Sequence, residues 1–452
     1  MSPHAVPVGS PHSLKSSGDL SKFAVTQNAF LPANSPSKFL SDPYYEPWEL
    51  VAQHLPQLID SGHIRDAVTQ LPILHTDLLA SEAEWRRAYV ILAYMTHAYV
   101  WGGQKPEEVL PHLLNLKPNS ANKLSQVVPP QITVPFLRVS SHLELPPVLT
   151  YAAANLWNFS CSGPDFTNLE DLQTLCSFTG TDSESWFLLI SVAMEAKGAG
   201  IIDTMLGAIE AIRSRDYDII IHALDELRDC IRDVGALLER MYERCDPMTF
   251  YHRIRPFLAG SKNMASAGLP RGLFYDEGDG KGQWRELRGG SNGQSSLIQF
   301  FDIVLGVDHR GDGNSAPSPG EESFHAQVRE YMPGPHRRFL LHVARMGSIR
   351  ELALLPPRTE EQRRLRAAYT AAAEALGEFR NKHIKIVTRY IVLPSKQPWT
   401  GTTGQQQQNL ASSSSSASKK CRELTGTGGT SLMPFLKQAR DETTDAAKLE
   451  RK

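Results

Sequence analysis

The sequence predicts an all-α fold, and three observations carry that reading. Apolar residues recur at three- and four-residue intervals along several long stretches. Convincing apolar–polar alternation is scarce across the 452 residues. Proline- and glycine-rich breaks separate the periodic stretches. The expected arrangement is a disordered tail over residues 1–35, a small helical domain with a connecting loop over 36–178, and a larger helical domain over 179–452.

The tail is rich in Ser, Pro and Asn, a composition that buries little apolar surface. Helical patterning starts at Pro47, where Trp48 and Val51 lead to Leu55, Leu58 and Ile59. A second helix is predicted from Ser81 to Tyr99, with Trp85, Ala88, Tyr89, Leu92 and Met95 on one stripe. Pro129-Pro130 and Pro146-Pro147 predict extended crossings and a long connecting loop. Ser185 to Gly198 is apolar almost all round, so that helix belongs at the centre. Asp216 to Glu243 is the clearest amphipathic helix. Its stripe of Ile220, Leu224, Leu227, Ile231, Val234, Leu238 and Met241 alternates steps of four and three. Two segments, 308–322 and 401–420, have the composition of disordered insertions, the second carrying Gln405–Gln408 and Ser412–Ser416. Order is expected to resume at Gly426–Thr430, followed by a short helix from Leu432.

Composition excludes several functions. A formal net charge of -2 gives no electrostatic basis for binding nucleic acid or an anionic membrane. The five cysteines form no CxxC pair and no zinc spacing, which implies free thiols in a reducing compartment. No segment reads as the long uncharged apolar run of a membrane span, and the N-terminus lacks a signal-peptide pattern. A cytoplasmic chain without a membrane partner is the expectation.

His383 is the most informative position. It falls inside a helical stripe of Leu376, Phe379, Ile386, Val387 and Tyr390. A buried imidazole needs a hydrogen-bond partner or a metal. Arg380 lies one turn earlier on the same side. A nitrogen for iron with a cation for an anionic rim suits a haem. A core histidine bonded to a backbone carbonyl is the commoner arrangement, and spacing alone favours it.

Other motifs also admit two roles. In Arg288–Ser296 the glycines permit close backbone approach, and Ser291 and Asn292 offer hydrogen bonds to a bound group. Taken alone, the same stretch reads better as the N-cap of the helix from Leu297, and no Walker lysine accompanies it. Phe250 can stack on a flat ligand and Arg255 can fork onto a carboxylate. A core phenylalanine beside a solvated arginine is the alternative. His336, in the turn Tyr331–Leu340, reads as a base or, better, as part of a helix start. The chain has no HExxH, nucleophile elbow or evident Cys–His pair.

Taken together, the chain resembles the indoleamine 2,3-dioxygenase family of the fungal type. The resemblance rests on Gly289–Ser296, Tyr331–Arg337, Arg380–Ile391 and Gly426–Thr430, in the family's order, and runs from about Pro43 to the C-terminus. It implies two helical domains holding haem b, and insertion of both atoms of O2 across the indole C2–C3 bond of L-tryptophan to give N-formylkynurenine. That reaction opens the kynurenine route of tryptophan catabolism toward NAD. It also implies a reductant that keeps the iron ferrous, and a monomer.

By the same resemblance, His383 is the proximal iron ligand, and Arg380, its partner Asp302, and Ser291 lie at the haem. Phe250 packs on the indole, Arg255 pairs with the substrate carboxylate, and Ser191 is the hydroxyl nearest oxygen. Tyr151, Ala154, Phe187, Leu258, Gly290, Ser291 and Asn292 form the pocket walls. Thr427 belongs to the loop that closes over the substrate. Ala154 stands where mammalian members have cysteine, Leu188 where they have phenylalanine, and Asn292 where they have alanine. None of the matched distal positions carries a histidine or carboxylate base, so no protein acid or base is expected to be essential. The competing readings are an oxygen-binding haem protein of this fold, a low-activity paralogue with another indoleamine preference, and a haem-free helical scaffold.

Overall fold

In a computed structural model of the protein, the described residues are 20–102, 126–265, 269–309, 324–399, 424, 426–427 and 432–449. The fold is helical, as expected. Its principal helices are α1 (Glu46–Gln53), α2 (Glu82–Trp101), α3 (Pro130–His142), α4 (Asp182–Ala196), α5 (Ile201–Ser214) and α6 (Tyr217–Glu239). After these come α7 (Ser296–Val304), α8 (Gly334–Met346), α9 (Glu360–Val387) and α10 (Leu432–Ala447).

The 28-residue α9 is the spine. Thr359 and Gln362 close a capping box at its start, satisfying donors the first turn would otherwise leave open. Its stripe packs most extensively on α6, and its opposite flank on α10. Helix α6 starts where the Asp216 carboxylate accepts from the Ile219 N–H, and its predicted stripe is buried. Helix α4 is central and buried nearly all round. With α5 it forms a run, Asp182–Ser214, apolar and long enough by composition to cross a membrane. That departs from the sequence expectation. The run is two core helices broken between Ala196 and Ile201, and 72% of its most apolar window is buried in the protein.

Three further expectations are corrected. The tail expected over 1–35 is ordered from Leu20: Phe23 and Phe30 are buried and both pack on Phe339 of α8. Its few aromatics find a groove that composition averages conceal. The crossing expected at Pro129-Pro130 becomes α3, because proline in the first turn sacrifices no helical hydrogen bond. A hairpin was also unforeseen. Taking strands in chain order, β1 is Val127–Val128, while β2 (Phe159–Cys161) pairs antiparallel with β3 (Leu172–Thr174). The hairpin joins β4 (Leu273–Gly278) to β5 (Lys281–Arg285), and β1 adds to β4 in parallel. Asp279 and Gly280 both have positive φ (53° and 72°), the geometry of a two-residue hairpin turn that Asp-Gly favours.

The segment 401–420 lies outside the described residues, as do residues 310–322 of the other expected insertion. The short helix expected from Leu432 extends over 16 residues. The four described cysteines are free thiols.

Candidate functional site

A cavity of about 210 Å³ opens between α4, α7, α9 and α10, and every site residue expected from the sequence borders it. Helix α4 supplies Phe187 and Ser191, one turn apart on one face. Three stretches of wider helical turn flank the cavity, at Ala152–Leu156, Phe250–Ile254 and Thr388–Val392. Such turns re-aim side chains out of the regular register. The first lies beside Tyr151 and carries Ala154. The second aims Phe250 inward, and Arg255 and Leu258 follow it. Phe250 meets Phe187 edge-on at 4.9 Å between centroids and Tyr390 at 5.8 Å. Arg253 instead points outward to Asp60 at 3.2 Å, so of the two arginines only Arg255 reaches the cavity.

The glycine–serine loop forms another wall with Gly290, Ser291 and Asn292. Gly289 and Gly260 touch backbone to backbone, and a Cβ on either would collide with main-chain atoms. Ser291 and Ser295 also act as helix N-caps, so the structural role weighed for this loop is realised alongside its place at the cavity. Thr427 closes over it: its hydroxyl donates to Gly290 O at 2.8 Å, and its carbonyl accepts from the Gly289 N–H at 3.3 Å.

His383 projects from α9 and is half-buried, its open side being the cavity. Neither ring nitrogen has a hydrogen-bond partner among the described residues. Burial pushes its pKa down to about 4, and the Arg380 cation adds to that, leaving a neutral ring with a lone pair for a metal. Arg380 lies 2.5 Å from Asp302. Burial disfavours ionisation of Asp302, but Arg380 and His309 outweigh it and hold the carboxyl well below the usual range. His336 does not reach the cavity. It is buried in α8 with Nδ1 3.0 Å from Ser296 Oγ, the structural role preferred from sequence.

Some groups at the cavity were not foreseen. Glu195, one turn beyond Ser191 on α4, also lines it, and accepts from Ser295 Oγ at 2.5 Å. Burial lifts its pKa to about 7, against the hydrogen bonds from Ser295 and Tyr151. A carboxylate ending the otherwise apolar stretch from Trp186 to Ala196 was the available signal. It is an acid group beside the matched distal positions, which themselves carry none. His309 was assigned to a disordered insertion, yet it is ordered between Asp302 and Glu442, and His325 stacks on it. Glycine-rich surroundings hid His309.

A family model described as indoleamine 2,3-dioxygenase matches residues 19–446. The chain is 36% identical over 440 residues to indoleamine 2,3-dioxygenase nanC of Aspergillus nanangensis, covering 95% of this chain and 98% of that one. It is 37% identical over 418 residues to 6-hydroxytryptophan 2,3-dioxygenase fscD of Fusarium equiseti, covering 92% and 95%. It is also 36% identical over 447 residues to an indoleamine 2,3-dioxygenase of Saccharomyces cerevisiae, covering 95% and 93%. A family match across nearly the whole chain, with the cavity built as described, leaves one assignment: this protein belongs to the indoleamine 2,3-dioxygenase family and is an oxidoreductase.

Proposed function

We propose that the chain is a haem b dioxygenase that opens the indole ring of L-tryptophan with O2 to give N-formylkynurenine. The observation that carries this is His383, a neutral imidazole at a cavity wall with neither nitrogen hydrogen-bonded among the described residues. A core histidine would have found a carbonyl. The residues present suit a haem: His383 would hold the iron, while Arg380 and Ser291 would face the anionic rim. Among the described residues the buried Nε of Arg380 has no hydrogen-bond partner. When bound, haem supplies the activation of oxygen, and the protein supplies placement.

Phe250 and Phe187, packed edge to face, grip the indole, and Arg255 receives the substrate carboxylate. Arg255 sits deep, where burial lowers its pKa, so an anion there is attracted with little competition from water. Ser191 presents a hydroxyl beside Phe187, and Thr427 closes the mouth and excludes water. Holding two reactants in this way removes a large part of the entropic barrier. The test is direct: purified ferrous protein given L-tryptophan and O2 is expected to yield N-formylkynurenine, and stable oxygen binding without product would favour an oxygen carrier. Because one relative is named for 6-hydroxytryptophan, the same assay with substituted indoles defines the preference.

A further inference from the structure

Beside Arg380 the cavity wall holds a polar group that the proposed roles leave unused. His325, on the short helix Phe324–Arg329, is 8% exposed and borders the cavity. Its Nδ1 is buried and has no hydrogen-bond partner among the described residues. The ring stacks on His309, with centroids 3.8 Å apart and planes 13° from parallel. His309 is fixed at both nitrogens, Nε2 lying 3.2 Å from Asp302 Oδ2 and Nδ1 2.7 Å from Glu442 Oε2. Glu442 belongs to α10, the helix that also walls the cavity through Leu432 and Phe435. One ionic chain therefore runs from α10 through His309 and Asp302 to Arg380.

Ligand atoms of Asp302, His309 and His325 lie within 4.8 Å of one another, a spacing that a divalent cation can also use. Two features oppose a cation. His309 already has a carboxylate at each nitrogen, 3.2 Å from Nε2 and 2.7 Å from Nδ1, so neither nitrogen is open to a metal. The guanidinium 2.5 Å from Asp302 adds a fixed positive charge. An arginine Nε carries a proton and no lone pair, so the idle groups at this wall call for an acceptor.

We propose that His325 is a second donor, beside Arg380 Nε, to a carboxylate of the bound porphyrin, its ring plane set by the stacked His309 and by Glu442. This rests on the haem reading above. A hydrogen bond to a charged acceptor removed from a buried site loosens binding about ten- to hundred-fold.

The test follows release of ferric haem from the holoprotein to excess apomyoglobin, using protohaem and its dimethyl ester, which has no free carboxylates. His325→Leu is expected to release protohaem at least ten times faster and the ester at the parent's rate, while His325→Gln, which keeps an N–H donor, restores much of the retention. Protohaem release at the parent's rate from His325→Leu, or equal acceleration for both haems, overturns the proposal. Should the leucine variant not fold, His325→Phe, which keeps a ring and has no donor, decides: protohaem loss faster than the parent's with the ester unchanged supports the proposal, and any other result overturns it. Zinc binding by the parent that His325→Leu abolishes overturns it in favour of a cation site. A parent that takes up no haem overturns both readings. A parent that loses its Soret band on His383→Ala but is indifferent to His325 loses only this one.

Discussion

His97, on α2, and His383, on α9, both have their pKa drawn down to about 4, chiefly by burial, yet the surrounding chain treats them differently. His97 Nδ1 lies 2.6 Å from Phe257 O, and its Nε2 accepts from the Leu149 N–H at 3.1 Å. Those contacts assign the neutral Nδ1–H tautomer and join three segments of the core. His383 has the same desolvation and no such bond among the described residues. Burial alone therefore says nothing about function. What distinguishes the two is whether the cost of desolvation is offset by protein groups or left for a ligand.

The sharpest way to break this contrast is to exchange the outcomes. His383→Ala should abolish the Soret band of the haem-reconstituted protein while leaving the thermal midpoint of the apoprotein nearly unchanged. His97→Leu should do the opposite, costing about 2–4 kcal/mol by stranding Phe257 O and the Leu149 N–H, with the haem band retained. A His97 variant that loses haem at unchanged stability would collapse the distinction.

Arg255→Ala comes next. Its kcat/KM for L-tryptophan should fall about ten- to hundred-fold, the worth of one charge-assisted hydrogen bond. Tryptamine, which has no carboxylate, should lose little. Equal losses would remove Arg255 from carboxylate recognition.

Glu195 offers a comparison within α4 itself. Its raised pKa means that the folded state holds the proton more tightly than the unfolded chain does. Stability from this group is therefore full below the ordinary glutamate range and is lost as pH rises toward about 7. Across that window the loss is about 3 kcal/mol, since one pKa unit corresponds to about 1.4 kcal/mol. Glu195→Gln should flatten the pH dependence of denaturant unfolding between pH 5 and 7.5, and an unchanged slope would place the titration elsewhere.

The smallest effect is expected at Ser191. Replacement by Ala should lower kcat less than ten-fold and leave haem and substrate binding intact, as for a hydroxyl that tunes the site through one neutral hydrogen bond. Total loss of turnover with normal binding would make that hydroxyl essential.

Periodicity located α6 and the C-terminal half of α9 because their stripes are long, and a continuous apolar run located α4, which is buried nearly all round. It overlooked α3, where two prolines look like breakers but Pro129 caps the helix and Pro130 opens its first turn, and the β4–β5 hairpin, whose Asp279-Gly280 turn was a readable signal. It placed His309 in an insertion because composition is an average over a window. A single imidazole between two carboxylates does not change that average.

The sequence by itself determined the helical class, the stripe that aims His383, and, through four co-linear motifs, the family and its expected site residues. These are local or ordered along the chain, so one dimension suffices for them. Only the tertiary structure decided which buried histidine is bonded and which is idle. It alone placed Glu195 on the cavity wall and linked α10 to Arg380 through His309. The physical reason is that hydrogen-bond satisfaction depends on groups brought together from distant segments: Phe257 lies 160 residues from His97, and Glu442 133 from His309. No spacing rule along the chain encodes such a partner.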